Sequence, residues 1–390
     1  MAFDTEILVR LYWRGAHIVN LPTHVIYPPH GLSHFDMLRD NWRISKMHTR
    51  LALGMLPRIP SLLWRKLKSG AVFGHWSTLA ERGGLLGMRI VFWAYRLLGR
   101  NATRSLLYPI VFYYALTHTL ARRSSLQFLR RAQACGGLPA EPIGFKQVFK
   151  HLYAFAESGL DKLGAWMGNV GSEHIDFPAR AEFDALRRSG RGAVLLGAHL
   201  GNLEMTRAIA VGENLARINA VVYTEHAKRF NNALQRANDR FGVNLLQVSE
   251  FGPDTAILLK EKIDAGELLV IVGDRTPPAE TGRVCYADFL GRPAAFAQGP
   301  FLLASLLDCP VYLFFCLREE QGYRIHFELF AERIDLPRKT RHLALKRYAQ
   351  QYAKRLEHYS LRAPYQWFNF YDFWREGAEQ ELCVIEQTSP

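Results

Sequence analysis

AVLLGAHLGNLEM, residues 193 to 205, reads as a buried strand that ends on a histidine and turns into a helix. Ala193–Leu196 is a short apolar run. Gly201 and Asn202 follow His199 and suit a tight turn at a helix start. Glu204 stands five residues after His199. A base that must reach a substrate does better at a strand end, because strand ends in α/β sheets open onto the crevice where ligands bind. Residues five apart on one straight helix do not share a face. The pairing therefore requires His199 before the helix and Glu204 in its first turns. So placed, the carboxylate fixes one tautomer of the imidazole and stabilises its protonated form. With 14 histidines and 36 acids in the chain, one His-x4-acid pair is roughly what chance supplies, so the weight rests on the strand-to-helix context.

Working outward, apolar runs at Ala193–Leu196, Ala220–Tyr223, Val243–Val248 and Leu268–Val272 read as strands. Helical stretches at Leu203–Val211, Asn231–Phe241 and Asp254–Ala265 lie between or beside them. CPVYLFFCLREEQGYRIHFELF reads as two strands joined by a turn at Glu320–Gly322, and a long helix over Lys339 to Leu361 closes the domain. Strands alternating with helices imply an α/β fold with a mixed, mostly parallel sheet flanked by helices, the hairpin supplying an antiparallel part. Residues 378–390 read as a tail.

The amino-terminal third differs. Residues 1–70 are rich in His and Pro and end in a basic linker, LPRIPSLLWRKLKSG. Residues 71–135 form an amphipathic helical segment. In it Arg82, Arg89 and Arg96 recur every seven residues and share one helical face, beside an aromatic-rich apolar side. That pattern suits a membrane interface. Ser105 to Ala121 is uncharged but sits at the short limit for a spanning helix and carries Pro109 and His118. The formal net charge is +13, which favours anionic partners such as a membrane surface or an acidic carrier protein. Nucleic acid is not expected as a partner, since no recognised module is visible. Cys135, Cys285, Cys309, Cys316 and Cys383 lack paired metal-ligand spacing and read as small hydrophobes in a reducing compartment.

No GxSxG elbow is present, and no cysteine has an evident partner base, so a covalent acyl-enzyme is not suggested. A His–acid pair without a nucleophile suits deprotonation of a substrate hydroxyl or amine, which then attacks an activated carbonyl such as a thioester. Backbone N–H groups near Gly201 are candidates to hold the oxyanion. In LLVIVGDRTPP, Asp274 and Arg275 follow a strand and precede two prolines, so a rigid strand-end loop presents a cation to a phosphate or to the acceptor. Arg240 and His226 lie in the same half of the chain.

The run from His199 and Glu204, through GDRTPP, to DFLGRPAAFAQGPFLLA resembles the acyltransferase family of the lauroyl and myristoyl transferases of lipid A biosynthesis. That family lies within the lysophospholipid acyltransferase-like superfamily. RLEHYSLRAPYQWFNFYDFW is similar to the end of that family. The resemblance implies a glycerolipid acyltransferase-like fold over residues 136–377. It implies transfer of a fatty acyl chain from an acyl-carrier-protein or coenzyme A thioester to a lipid or glycolipid acceptor. His199 would be the base and Glu204 its partner, and Asp274, Arg275 and Gly291 match family positions; with Gly201, Asn202 and Arg240, read from the residues themselves, they make the candidate substrate-binding set. No metal and no cofactor is implied, and the place of work is the cytoplasmic face of a bacterial inner membrane. Two other readings stay open: a membrane scaffold without turnover, and a metal hydrolase with His199 and Glu204 as ligands. FDTEILVRLYWRGAHIVNLPTHVIYPPHGLSHF, residues 3–35, resembles the final segment of a family 2 glycosyltransferase and is assigned no activity.

Overall fold

The computed structural model describes residues 2–14, 37–58, 85–167, 175–206, 218–223, 243–248, 253–276, 284–320 and 322–374. They fall into two units, one within Met1–Val72 and one within Phe73–Pro390. The first holds α1 (Ala2–Arg14) and α2 (Met37–Met55), followed by a 3₁₀ turn at Leu56–Arg58. Glu6 takes Arg10 at 2.6 Å and Arg50 at 3.3 Å, and the Arg58 guanidinium stacks over the Trp13 ring. Most of the glycosyltransferase-like stretch, from residue 15 on, lies outside the described residues.

The second unit opens with three helices, α3 (Leu85–Thr117), α4 (Thr119–Ala134) and α5 (Phe145–Trp166). α3 is two helices joined at a kink, where Gly99 takes φ 77°. The uncharged run from Ser105 to Ala121 is divided between α3 and α4 at His118. Among the described residues no helix is long and apolar enough to cross a membrane. Arg82 lies outside the described residues.

The strands and helices that follow are β1 (Ile175–Asp176), α6 (Arg180–Arg188), β2 (Ala193–Gly197), β3 (Ile218–Tyr223), β4 (Val243–Val248), α7 (Pro253–Asp264) and β5 (Leu268–Val272). Then come β6 (Val284–Phe289), β7 (Arg292–Ala297), α8 (Gly299–Leu307), β8 (Val311–Glu319), β9 (Gly322–Ala331) and α9 (Arg341–Arg362). Among the described residues seven strands form one sheet in the order β1-β9-β8-β2-β5-β3-β4. All neighbours are parallel except the β8–β9 hairpin. This is the mixed, mostly parallel α/β sheet expected from the sequence. β6 and β7 make a separate antiparallel hairpin that the apolar pattern did not reveal.

β2 is buried along its whole length, as a central parallel strand covered on both faces must be. Its side chains alternate between two cores: Val194 and Leu196 enter the larger cluster, Ala193 and Leu195 the smaller. Leu269 and Ile271 of β5 join the first, and Leu268 and Val270 the second. α9 presses Tyr352, Ala353 and Leu356, all without exposure, into the larger core. The Tyr352 hydroxyl donates to the Gly197 carbonyl at 2.8 Å, fixing the carboxyl end of β2.

After β2 the chain departs from expectation. Of the helix read over Leu203–Val211, the described part is a 3₁₀ turn at Leu203–Thr206; residues 207–217, and the helix read over Asn231–Phe241, lie outside the described residues. Gly201 has φ 71°, and a Cβ there would sit 2.1 Å from the Cys316 carbonyl oxygen. The backbone passes this close because the Asn202 N–H donates to that same oxygen at 2.7 Å. Gly201→Ala combines a left-handed conformation with a backbone clash. It is expected to cost at least about 2 kcal/mol of stability, read as a lowered denaturant midpoint.

Candidate active site

The parallel register of β2 and β5 builds the site. Gly197 is level with Val272, so His199 and Asp274, each two residues beyond its strand, emerge side by side. The Asp274 carboxylate grips His199 twice. Oδ2 accepts the His199 backbone N–H at 2.9 Å, and Oδ1 meets Nδ1 at 2.7 Å. This corrects the pairing read from the sequence: the carboxylate on the imidazole is that of Asp274, not Glu204. The reason is topological, because β5 is β2's direct neighbour, whereas the chain after His199 is drawn away toward β8. Glu204 instead lies within the 3₁₀ turn that begins at Leu203, half-buried.

Asp274 has no exposed surface. An isolated carboxylate so placed would cost several kcal/mol, so it persists through its donors. Besides His199 these are the Trp367 indole N–H at 3.0 Å and the Asn369 side-chain amide at 2.9 Å, both on Oδ2. Burial alone would raise the Asp274 pKa, but the bonds and charge of His199, together with the Arg275 charge, hold it below the ordinary carboxylate value. An ionised Asp274 accepts Nδ1–H, which leaves the lone pair of His199 on Nε2. The imidazole keeps 28% of its side-chain surface accessible. Burial lowers its pKa, the Arg275 and Lys162 charges lower it further, and Asp274 opposes them without prevailing. The result is a neutral, oriented base.

The segment Gln366–Asn369, just beyond α9, holds both members of this pair. The Gly201 N–H donates to the Gln366 carbonyl at 2.8 Å, and the Phe368 N–H donates to the His199 carbonyl at 2.7 Å. The Gln366 side chain pairs with the backbone of Arg318 at 2.8 and 2.7 Å, anchoring the segment to β8. Asn369 also donates to the Asp274 carbonyl at 3.2 Å and accepts from Arg275 Nε at 3.2 Å. Arg275, read from the sequence as a cation for substrate phosphate, thus has a place within the support of Asp274.

The N–H groups of Gly201 and Asn202 are taken by Gln366 and Cys316. They are not the oxyanion donors that the sequence suggested. Both residues do line a cleft of about 400 Å³, whose wall includes Arg104, Glu157, Arg318 and Tyr323. Here Arg318 meets Glu157 at 3.3 Å, Arg100 meets Asp161 at 2.7 Å, Arg104 pairs with Glu157, and the Tyr323 hydroxyl donates to Asp161. Charged side chains therefore stand on one part of the wall, while Ala154, Tyr365 and Phe368 make the rest of it largely apolar. A second, wider groove of about 650 Å³ shares Arg318, Glu319 and Gln366 with it and runs out past Arg324 and Arg362.

Gly291 stands at the corner of the β6–β7 hairpin, where Leu290 and Gly291 both take positive φ, 50° and 76°. That is the two-residue turn such a hairpin needs. Leu290 N–H is bonded to the Glu357 carboxylate, and the Phe289 ring packs 5.3 Å from Trp367. Gly291 thus serves the turn and is not in the wall of the cleft. Arg240 and His226 lie outside the described residues. The sequence reading missed Lys162, Trp367 and Asn369 as parts of the site. QWFN inside the family-like closing segment was the available signal for the last two. Among the described residues no group of three or more His, Cys, Asp or Glu is placed to hold a metal ion.

Residues 165–376, more than half of the chain, match the family described as bacterial lipid A biosynthesis acyltransferase. The chain belongs to that family and is an acyltransferase. No curated protein matches it. The matched range leaves residues 3–35 without support for their glycosyltransferase resemblance.

Because His199 stays neutral below the ordinary imidazole value, the acid limb of kcat/KM is expected below about pH 6.5. Arg275→Gln removes a charge that lowers the His199 pKa, so a pH–rate profile of that variant should show the limb moved toward higher pH.

Proposed function

We propose that the protein moves a fatty acyl chain from an acyl-carrier-protein or coenzyme A thioester to a hydroxyl or amine of a lipid or glycolipid acceptor. The observation that carries the reading is the His199–Asp274 pair at the strand ends, in a chain of an acyltransferase family. His199 Nε2 takes the proton from the acceptor as its oxygen or nitrogen attacks the thioester carbonyl. Asp274 offsets the charge that forms on the imidazolium. The tetrahedral intermediate collapses, the C–S bond breaks, and the departing thiolate takes the proton from Nε2. The products are an ester or amide and a free thiol, and His199 returns neutral. The cleft beside Gly201 and Asn202 offers charged side chains, Arg104, Glu157 and Arg318, to the head of a substrate and an apolar wall, Ala154, Tyr365 and Phe368, to a chain. No resident cofactor enters this sequence.

The test supplies membranes carrying the protein with a long-chain acyl-carrier-protein thioester and total lipid extract. Products are read by mass spectrometry. A new acylated lipid is expected from the wild type and not from His199→Ala. Absence of product from the wild type would favour a scaffold without turnover.

The same reading places the enzyme at the cytoplasmic face of a bacterial inner membrane, with an acidic acyl carrier protein and anionic lipids as partners. α3 supports it. Tyr108, Ile110, Phe112, Tyr113 and Leu116 are all exposed there, as are Phe145 and Phe155 on α5, in a chain of net charge +13. Aromatic side chains beside basic ones suit an anionic bilayer surface. Co-sedimentation with vesicles containing phosphatidylglycerol should exceed that with phosphatidylcholine alone. Replacing Phe112 and Tyr113 by Ser should weaken it. Equal binding to both vesicles would contradict the electrostatic part.

A further inference from the structure

His151, on α5, is a second histidine with no exposure, and its ring nitrogens are both engaged. Nε2 lies 2.9 Å from the Trp367 carbonyl oxygen and Nδ1 lies 2.9 Å from the Ser125 hydroxyl on α4. A carbonyl only accepts, so Nε2 carries the hydrogen. Burial pushes the pKa down to about 4, so the ring is neutral and Nδ1 accepts from Ser125. Phe128, Phe368 and Phe370 surround the ring, with centroids 5.5, 6.2 and 4.8 Å away.

The Trp367 carbonyl is the far side of the residue whose indole N–H bonds Asp274. The next residue, Phe368, bonds the His199 carbonyl. A line of hydrogen bonds therefore runs from Ser125 through His151 to the backbone of Trp367, and from its indole to the dyad. Burying three polar groups in an aromatic core is costly unless every one is satisfied, and here each bond has a matched donor and acceptor. An apolar side chain at 151 would fill the same space without fixing the height or rotation of the Trp367 peptide.

We propose that His151 is a positioning residue for the acyl-transfer site, setting Trp367 and through it the orientation of Asp274 against His199. The proposal rests on the reading of His199–Asp274 as the reacting pair. It differs from a packing role in what it demands. The donor at Nε2 matters, ring volume alone does not suffice, and the loss falls on turnover rather than on binding of the donor thioester.

The test compares full-length His151→Phe, His151→Gln and Ser125→Ala with wild type, using acyl-carrier-protein thioester and lipid extract. kcat, KM for the thioester and the thermal midpoint are measured for each. Phe keeps ring volume and loses the donor; Gln places an amide N–H near the position of Nε2. His151→Phe is expected to lower kcat by about tenfold or more with KM changed by less than about threefold, since small misplacements of reacting groups carry penalties of this order. His151→Gln should recover most of that loss. Ser125→Ala, which leaves the imidazole in place, should lower kcat by several-fold with the fold retained. Wild-type kcat in His151→Phe would overturn the proposal. Equal losses in Phe and Gln variants that track the thermal midpoint would reduce His151 to packing. If His151→Phe does not fold, unchanged kcat in Ser125→Ala overturns the proposal. His199→Ala in the same assay separates the two levels: retained turnover there refutes the dyad itself, independently of His151.

Discussion

A carboxylate that cannot reach water dictates the arrangement around it. Asp274 is fully buried at the carboxyl end of β5, and its oxygens take the His199 backbone and ring, the Trp367 indole and the Asn369 amide. Removing one donor leaves a buried charge short of a partner, which is why such groups come as complete sets. The set draws on distant parts of the chain. β2 brings His199, β5 brings Asp274, and the segment after α9 brings Trp367 and Asn369. The closing segment is therefore the third side of the site, tied to β2 by the Gly201 and Phe368 N–H groups and to β8 by Gln366.

In the proposed mechanism this arrangement equips the histidine to act as the base. A carboxylate on Nδ1 fixes the tautomer, and burial with nearby cations keeps the ring neutral until it is called on to take a proton. Protonation then creates an ion pair with a partner that is already oriented, so little reorganisation is needed during the reaction. The cost is borne by the fold, which has to place a charged, fully bonded group in the interior before any substrate arrives.

Much of the fold was legible in the sequence. The four apolar runs from Ala193 to Val272 are parallel strands, and the hairpin after Cys309 and the long helix α9 fall where periodicity set them. Strand order was not legible, and the site depended on it. Nothing in one sequence says that β5 lies beside β2, so the acid at the matching level of the neighbouring strand was read as a loop residue. The acid five residues along the chain was read as the partner instead. Asp274 was singled out for its place after a strand, but its role needed the register. The Gly201 and Asn202 N–H groups went astray for a similar reason: local pattern showed two free donors, and the acceptors that take them come from residues 316 and 366. β6 and β7 escaped because Ala and Pro dilute their alternation.

The most direct test of this arrangement sets Asp274→Asn against Glu204→Gln in single-turnover acyl transfer, with folding of both verified. Asn keeps the shape of Asp274 but removes the charge that orients and compensates the imidazole. Asp274→Asn should slow the chemical step by about 10²–10⁴-fold, and Glu204→Gln should slow it much less. A loss in Glu204→Gln equal to or greater than that in Asp274→Asn would contradict the assignment of Asp274 as the partner of His199.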